Sequence, residues 1–311
     1  MKLTKKSKIF LAGHGGMVGS AIHRKLIDKG YKNILVSKRK NLDLTKQAET
    51  FKFIKKNKPH LVIIAAAKVG GIYANQNYKD KFIYENLQIQ NNLIHGSFLA
   101  GVKNLFLLGS SCIYPRLTKQ PMSEKQLLTG KLEETNDAYA IAKIAGLKMC
   151  EYYSKIHNIN FKGLMPPNLY GPNDNYNLKS SHFYPALLKK IYYAKIKKKK
   201  ILEVWGTGKA RRELMYVDDF ADALIFFMNK KIKEPFINVG IGKDYPIKWY
   251  AKFLMKKIKV NLKIKYDKSK PDGMPKKLLD ISLAKKYGWV PKYDFDKAFE
   301  NTFKNFLSKK N

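Results

Sequence analysis

Two hydroxyls, a lysine and a thiol in this chain have the types and spacing to work on a carbonyl group. Tyr139 and Lys143 stand four apart in "YAIAK", so on a helix both project from one face. A phenol so placed exchanges a proton with a carbonyl or alcohol oxygen, while the ammonium lowers its pKa and binds a ribose. Ser110 ends the apolar run "NLFLLGSS" and offers the same oxygen a second hydrogen bond. Cys112 follows two residues later, in "LGSSCIYPR". It is chemistry or packing: free cysteine usually behaves as a small buried hydrophobe, yet α/β sheets place ligands at the carboxyl ends of strands. His182 follows an Asn- and Ser-rich loop at an expected helix start, where a side chain can point into a cleft.

The elements that must position these groups are legible as an alternation. "KIFLAG" is a short apolar run ending in glycine, and "MVGSAIHRKLIDKG" carries apolar residues at helical spacing. The pattern repeats with "NILVS" as strand, Thr45 to Lys56 as helix, "HLVIIAAA" as a fully apolar strand, a long helix from about Tyr78 to Ala100, and "NLFLLGSS" as the next strand. A helix from Tyr139 to His157 and the strand "FKGLM" follow; later helices are expected around Ser181 to Lys195, Ile247 to Val260 and Asp294 to Leu307. Continuous apolar strands alternating with helices predict an α/β fold with a Rossmann-type, doubly wound parallel sheet covered on both faces. Residues 1–170 are expected to form a dinucleotide-binding domain, with segments around 214–240 returning to it. Residues 171–311 are expected to form mainly a smaller C-terminal substrate-binding lobe.

Between the first strand and helix, "GHGGMVG" supplies Gly13, Gly16 and Gly19. Glycines at this spacing permit a tight turn and close approach of backbone to a pyrophosphate, which then sits on the helix N-terminus. The second strand ends in "VSKRKNLDL", with Lys38, Arg39 and Lys40 where an acidic residue would accept from a free ribose hydroxyl. A basic cluster there predicts NADP over NAD.

The 311 residues are 45% hydrophobic, enough for a sizeable core, and carry a net charge of +37. Such charge raises a nucleic-acid or anionic-membrane partner. Lysine is nevertheless spread along the whole chain, and Asn, Ile, Tyr and Phe are also plentiful, so a general compositional bias is the expected source and no specific nucleic acid is expected. No apolar run approaches the eighteen or so residues that cross a bilayer. The basic start "MKLTKKSKIFLAGHGG" has too short an apolar stretch for a signal peptide, which predicts a cytoplasmic protein. Cys112 and Cys150 make no disulfide framework or metal spacing, so no metal is expected, and Cys150 is expected to be packed. The remaining histidines have no paired acid.

Taken together, "GMVGSAI", "AAAKVGGI", "LGSSCIYP", "KQPMSE", "YAIAKIAG", "NLYGP", "SHFYPALL", "VWGTG" and "KPDGMPKKLLD" make the chain resemble the extended short-chain dehydrogenase/reductases over nearly its whole length. The resemblance is to the branch that epimerises and reduces a GDP-linked 4-keto sugar. It implies NADPH-dependent conversion of GDP-4-keto-6-deoxy-D-mannose to GDP-L-fucose by a homodimer. By the same resemblance, Ser110, Tyr139 and Lys143 form the reducing set, Cys112 is the base at C3 and C5, and His182 is the acid on the opposite face. NADP contacts are implied at Gly13, His14, Gly15, Gly16, Met17, Val18 and Gly19, at Arg39, at Leu108, Gly109, Ser110 and Ser111, at Lys143, at Pro166, Pro167, Asn168 and Leu169, and at His182. The sugar nucleotide is implied near Lys190, Trp205, Arg212 and Asp272.

Three positions depart from the pattern of that branch: Gly15 and Lys190 stand where arginine is common, and Pro167 where threonine is common. None is a catalytic group, so weaker binding is the expected consequence at most, since lysine lacks the bidentate fork of arginine. Two other readings stand beside this one. Another sugar-nucleotide epimerase or dehydratase is the nearest, although "SSCIYP" lacks the carboxylate pair expected of a dehydratase. A non-catalytic dinucleotide-binding regulator is the other, although such a protein should have lost the catalytic set.

Overall fold

The computed structural model describes residues 3–309. Its first half alternates strand and helix: β1 (Ile9–Ala12), α1 (Met17–Asp28), β2 (Ile34–Leu35), α2 (Gln47–Asn57), β3 (Leu61–Ile64), α3 (Ile72–Asn77), α4 (Lys79–Leu99), β4 (Asn104–Leu108), α5 (Asp137–His157) and β5 (Asn160–Met165). The second half is less regular, with β6 (Asn168–Tyr170), α6 (Phe183–Ile196), β7 (Ile201–Trp205), β8 (Arg211–Tyr216), α7 (Val217–Phe227), β9 (Phe236–Asn238), β10 (Asp244–Pro246), α8 (Ile247–Ile258), β11 (Lys263–Asp267), β12 (Lys276–Lys277), α9 (Ser282–Lys286) and α10 (Phe295–Ser308).

Six parallel strands form the main sheet in the order β2-β1-β3-β4-β5-β9. The strand interiors are apolar because both faces are covered, except at Lys162 in β5, whose Nζ donates to the carbonyls of Lys233 and Glu234. Ile9 and Leu11 of β1 face a core shared with α1 and α7, while Phe10 and Ala12 face another shared with α2, α4 and α5. Cys150 is fully buried in the second core, where burial pushes its thiol up. The strand order reverses between β1 and β3, which makes the carboxyl ends of β1, β3, β4 and β5 the place where a crevice opens.

The smaller sheets carry the opposite wall. β8 pairs with β6, β10 and β12, while β7 pairs with β11. The expected helices form with small boundary changes. α2 starts at Gln47 and not Thr45 because the Thr45 N–H and hydroxyl both donate to Asp43. The third strand is shorter than "HLVIIAAA": it ends at Ile64, and Ala65 and Ala67 line the crevice instead. Among the described residues no helix is long and apolar enough to cross a membrane.

Candidate active site

The crevice is a cavity of about 850 Å³. At one end lies the Gly-rich turn. Gly13 has φ +91°, and a Cβ there would stand 2.5 Å from the Ala66 nitrogen; a Cβ on Gly19 would stand 2.0 Å from the Gly13 oxygen. Backbone therefore passes so close to backbone that only glycine fits. α1 begins at Gly16 without a side-chain cap, so its first N–H groups and the positive end of its dipole are free for an anion. These features fit a dinucleotide pyrophosphate.

The structure brings most of the expected site residues to this cavity. Gly16, Met17, Val18, Gly19, Leu108, Gly109, Ser110, Ser111, Cys112, Tyr139, Lys143, Pro166, Pro167, Asn168, Leu169, His182, Lys190, Trp205, Arg212 and Asp272 all line it. Gly13, His14, Gly15 and Arg39 do not. Gly13 and Gly15 lie in the turn behind Gly16. Arg39 is exposed and lies 3.8 Å from the Asp43 carboxylate and 3.6 Å from that of Glu85.

Ser110 lies just beyond β4 and caps a single helical turn over Ser111–Ile113, its hydroxyl accepting from the Cys112 N–H at 3.3 Å. That turn swings Cys112 back into the cavity. α5 starts one turn before Tyr139, so Tyr139 and Lys143 share the face towards β4. Lys143 is buried, and its Nζ donates to the Leu108 carbonyl at 2.9 Å. Burial lowers the ammonium to about 8. The expectation that Lys143 lowers the phenol of Tyr139 is corrected here. Burial and the neighbouring Cys112 push the phenol well above its ordinary value, and a hydrogen bond with Ser110 only partly offsets them.

Cys112 is the opposite case. Burial raises its thiol, but Lys277, a hydrogen bond with Ser110 and the Arg212 guanidinium together bring it below its ordinary value. Lys277 Nζ lies 3.1 Å from Sγ, and Asn136 Nδ2 donates to Sγ at 3.4 Å. His182 caps α6. Burial and the Lys277 charge lower its imidazole to about 4, so it is neutral at pH 7. The site thus holds a thiol primed to lose its proton and an imidazole in its neutral state.

The far end of the cavity is built for a charged, flat ligand. Lys190 donates to the Glu203 carbonyl at 3.1 Å and lies 5.8 Å from the half-exposed Trp205 ring, with Lys270 Nζ 5.7 Å from the same ring. Two expected substrate residues also do structural work. Arg212 donates to the carbonyls of Arg211, Asp272 and Met274. The Asp272 carboxylate accepts from the N–H and hydroxyl of Thr207.

Sequence reading assigned no role to Asn136, Lys270 or Lys277. Lys277 lies in "KPDGMPKKLLD", but it is one lysine among many and 165 residues from Cys112. Only the pairing of β12 with β8 brings it to the thiol.

A doubly wound sheet, an uncapped glycine-bounded helix N-terminus and a Ser-Tyr-Lys set on one cavity define a dinucleotide-dependent oxidoreductase of the short-chain type. The chain belongs to the NAD dependent epimerase/dehydratase family, whose model matches residues 9–240. It is 46% identical to the GDP-L-fucose synthase of Sinorhizobium fredii, over 99% of this chain and 98% of that protein. Among solved structures, it is similar to a GDP-6-OMe-4-keto-L-xylo-heptose reductase from C. jejuni, with a TM-score of 0.94, 34% identity and coverage of 99% of this chain and 100% of that one. It is also similar to a GDP-L-fucose synthetase from Naegleria fowleri bound to NADP, with a TM-score of 0.90, 26% identity and coverage of 99% and 96%.

Proposed function

We propose that the chain is an NADPH-dependent enzyme that converts GDP-4-keto-6-deoxy-D-mannose to GDP-L-fucose, by 3,5-epimerisation followed by reduction of the 4-ketone. The observation that carries the reading is the thiol of Cys112, held between Lys277 and Asn136 on the same cavity as Ser110, Tyr139 and Lys143. A reductase alone needs no such base. The likeness to GDP-L-fucose synthases supports the substrate.

The 4-ketone acidifies the C–H bonds at C3 and C5. Cys112, as thiolate, takes each proton in turn, and Ser110 and Tyr139 hold the oxygen on which the enolate charge develops. His182 delivers a proton to the opposite face. Because burial and Lys277 keep its imidazole neutral in the free protein, it takes a proton from solvent water as the enolate charge appears, and the Cys112 thiol returns its first proton to solvent before the second abstraction. When bound, NADPH would supply the hydride to C4, and Tyr139 would give its phenolic proton to the resulting alkoxide. Gly13 to Gly19, Leu108 to Ser111 and Pro166 to Leu169 hold the dinucleotide, with Arg39 turning from Asp43 and Glu85 to its 2′-phosphate. Lys190, Trp205, Arg212 and Asp272 hold the GDP sugar. Residues 1–170, with the returns around 214–240, thus serve the dinucleotide, and residues 171–311 mainly the sugar nucleotide.

The active form is a cytoplasmic homodimer. Helices α4 and α5 pack together yet leave Tyr84, Leu99, Tyr152 and Ile156 more than half exposed. A second copy of this face would cover them. The functional test is NADPH consumption with the 4-keto sugar nucleotide, the product identified by NMR. GDP-L-fucose is the expected product; a reduced sugar not inverted at C3 and C5, or no consumption, would overturn the reading.

A further inference from the structure

The pairing of β12 with β8 brings Lys277 to Cys112, and further groups, outside the cavity, fix the backbone just beyond it. The Leu279 N–H donates to Glu213 Oε2 at 2.8 Å. The other oxygen of that carboxylate accepts from the N–H groups of Ile241 and Gly242, at 2.5 and 2.8 Å. The Leu278 N–H donates to Gln120 Oε1 at 3.0 Å, and the Leu278 carbonyl accepts from Met122 N–H at 2.7 Å. Glu213 is fully buried. Burying a carboxylate is costly unless it is hydrogen-bonded, and here three backbone N–H groups from two separate segments donate to it, although burial still outweighs them and raises the group to about 7. β8 alternates, so Arg212 faces the cavity while its neighbour Glu213 faces this brace.

We propose that Glu213 is a positioning residue for the thiol base: by anchoring Leu279 it holds Lys277 against Cys112 and keeps that sulfur reactive. The proposal rests on Cys112 being the base assigned above. The charged or titratable groups facing the sulfur are Lys277, Arg212 and Tyr139, with Ser110 and Asn136 as hydrogen-bonding neighbours. Those facing Glu213 are Asp244 and Tyr250. Substituting Glu213 leaves the chemical identity of all seven unchanged, and among those at the sulfur only Lys277 is attached to the segment it anchors.

Glu213→Gln is selective. Its amide oxygen can keep the Ile241 and Gly242 bonds, while its NH2 group faces the Leu279 N–H and the anchor is lost. The readout is the rate of iodoacetamide alkylation at Cys112 against pH, followed by mass spectrometry on the full chain. Glu213→Gln is expected to slow alkylation at neutral pH about three- to tenfold and to move the profile upward by half to one pH unit. Solvent-deuterium exchange into the 4-keto sugar should slow in proportion, with hydride transfer to the already epimerised ketone within about twofold. Gln120→Ala, at a partly exposed site, should act in the same direction and keeps the test open if Glu213→Gln does not fold. Lys277→Met sets the ceiling. Slower alkylation in Lys277→Met with wild-type rates in both brace variants overturns the proposal, as does a wild-type rate in Lys277→Met itself. A wild-type protein that alkylates fast at Cys112, with a rate sensitive to Glu213, but exchanges no deuterium would uphold the brace and overturn the assigned reaction.

Discussion

Replacing Lys143 by methionine should make the protein more stable while abolishing reduction. Lys143 is 2% exposed, and burial lowers its ammonium from 10.5 to about 8. No anion is among the causes of that shift, and its Nζ donates to the Leu108 carbonyl. A depression of this size means that keeping the charge at neutral pH costs roughly 3 kcal/mol of folding free energy. The sign follows from linkage: the unfolded chain binds this proton more tightly than the folded one, so the cost is full below about pH 8 and is relieved as pH rises towards 10.5. Methionine removes the charge but leaves the Leu108 carbonyl without its donor, a loss of about 1 kcal/mol. Lys143→Met should therefore be more stable by about 2 kcal/mol at neutral pH, and the gap should close by about 2 kcal/mol at roughly pH 9.5, all from recovery of the wild type. Urea unfolding of both proteins at the two pH values measures this. A Lys143→Met protein less stable than wild type at neutral pH, or a gap that does not change with pH, would refute the reasoning.

Cys112→Ser should slow solvent-deuterium exchange into the substrate by about 100-fold or more while leaving reduction of the already epimerised ketone within about threefold; equal loss of both would mean that Cys112 is not the base. Gly19→Ala would set a Cβ 2.0 Å from the Gly13 oxygen and 2.8 Å from the His14 Cα, backbone that has no side chain to yield. It should lose NADPH binding by fluorescence titration and destabilise the fold by about 2 kcal/mol or more. Arg39→Ala should raise KM for NADPH about tenfold and leave that for NADH unchanged, the loss of one charge-assisted phosphate contact. Tyr152→Glu combined with Ile156→Glu should convert a dimer to a monomer in analytical ultracentrifugation, since both side chains are more than half exposed on α5; a wild-type monomer would remove the dimer reading.

What was legible in the sequence was whatever periodicity or short spacing encodes. The apolar runs of β1, β3, β4 and β5 announced a buried parallel sheet because such strands have no solvent face. "YAIAK" and the glycine turn were readable because their geometry is local. β6, β10 and β12 gave no signal: each is two or three residues long and exists through its pairing with β8. The electrostatics were harder still. Nothing in "YAIAK" says that Tyr139 is desolvated enough to hold its proton, and nothing in "PKKLLD" says which lysine meets a thiol. Arg212 and Asp272 were expected at the substrate, and they do line the cavity, but their bonds to the Met274 carbonyl and Thr207 could not be read from spacing.

The two lysines of the site show why residue type underdetermines role in so basic a chain. Lys143 and Lys277 are both at most 8% exposed. Lys143 meets the Leu108 carbonyl and the face of the Tyr139 ring, no anion is among the causes of its shift, and its charge is pushed towards neutrality. Lys277 meets a sulfur, so its charge instead draws a proton off Cys112 and keeps one off His182. One ammonium beside both groups removes a proton from each, so it prepares Cys112 as a base and leaves His182 without the proton that an acid must carry. A single ammonium beside both groups favours the thiolate and the neutral imidazole together. In the proposed mechanism the imidazole gains its proton from solvent when a compensating negative charge arrives, and the enolate held by Ser110 and Tyr139 is that charge. In the proposed reaction the same oxygen, once reduced, receives the proton of Tyr139, a phenol that burial and Cys112 hold above its ordinary pKa.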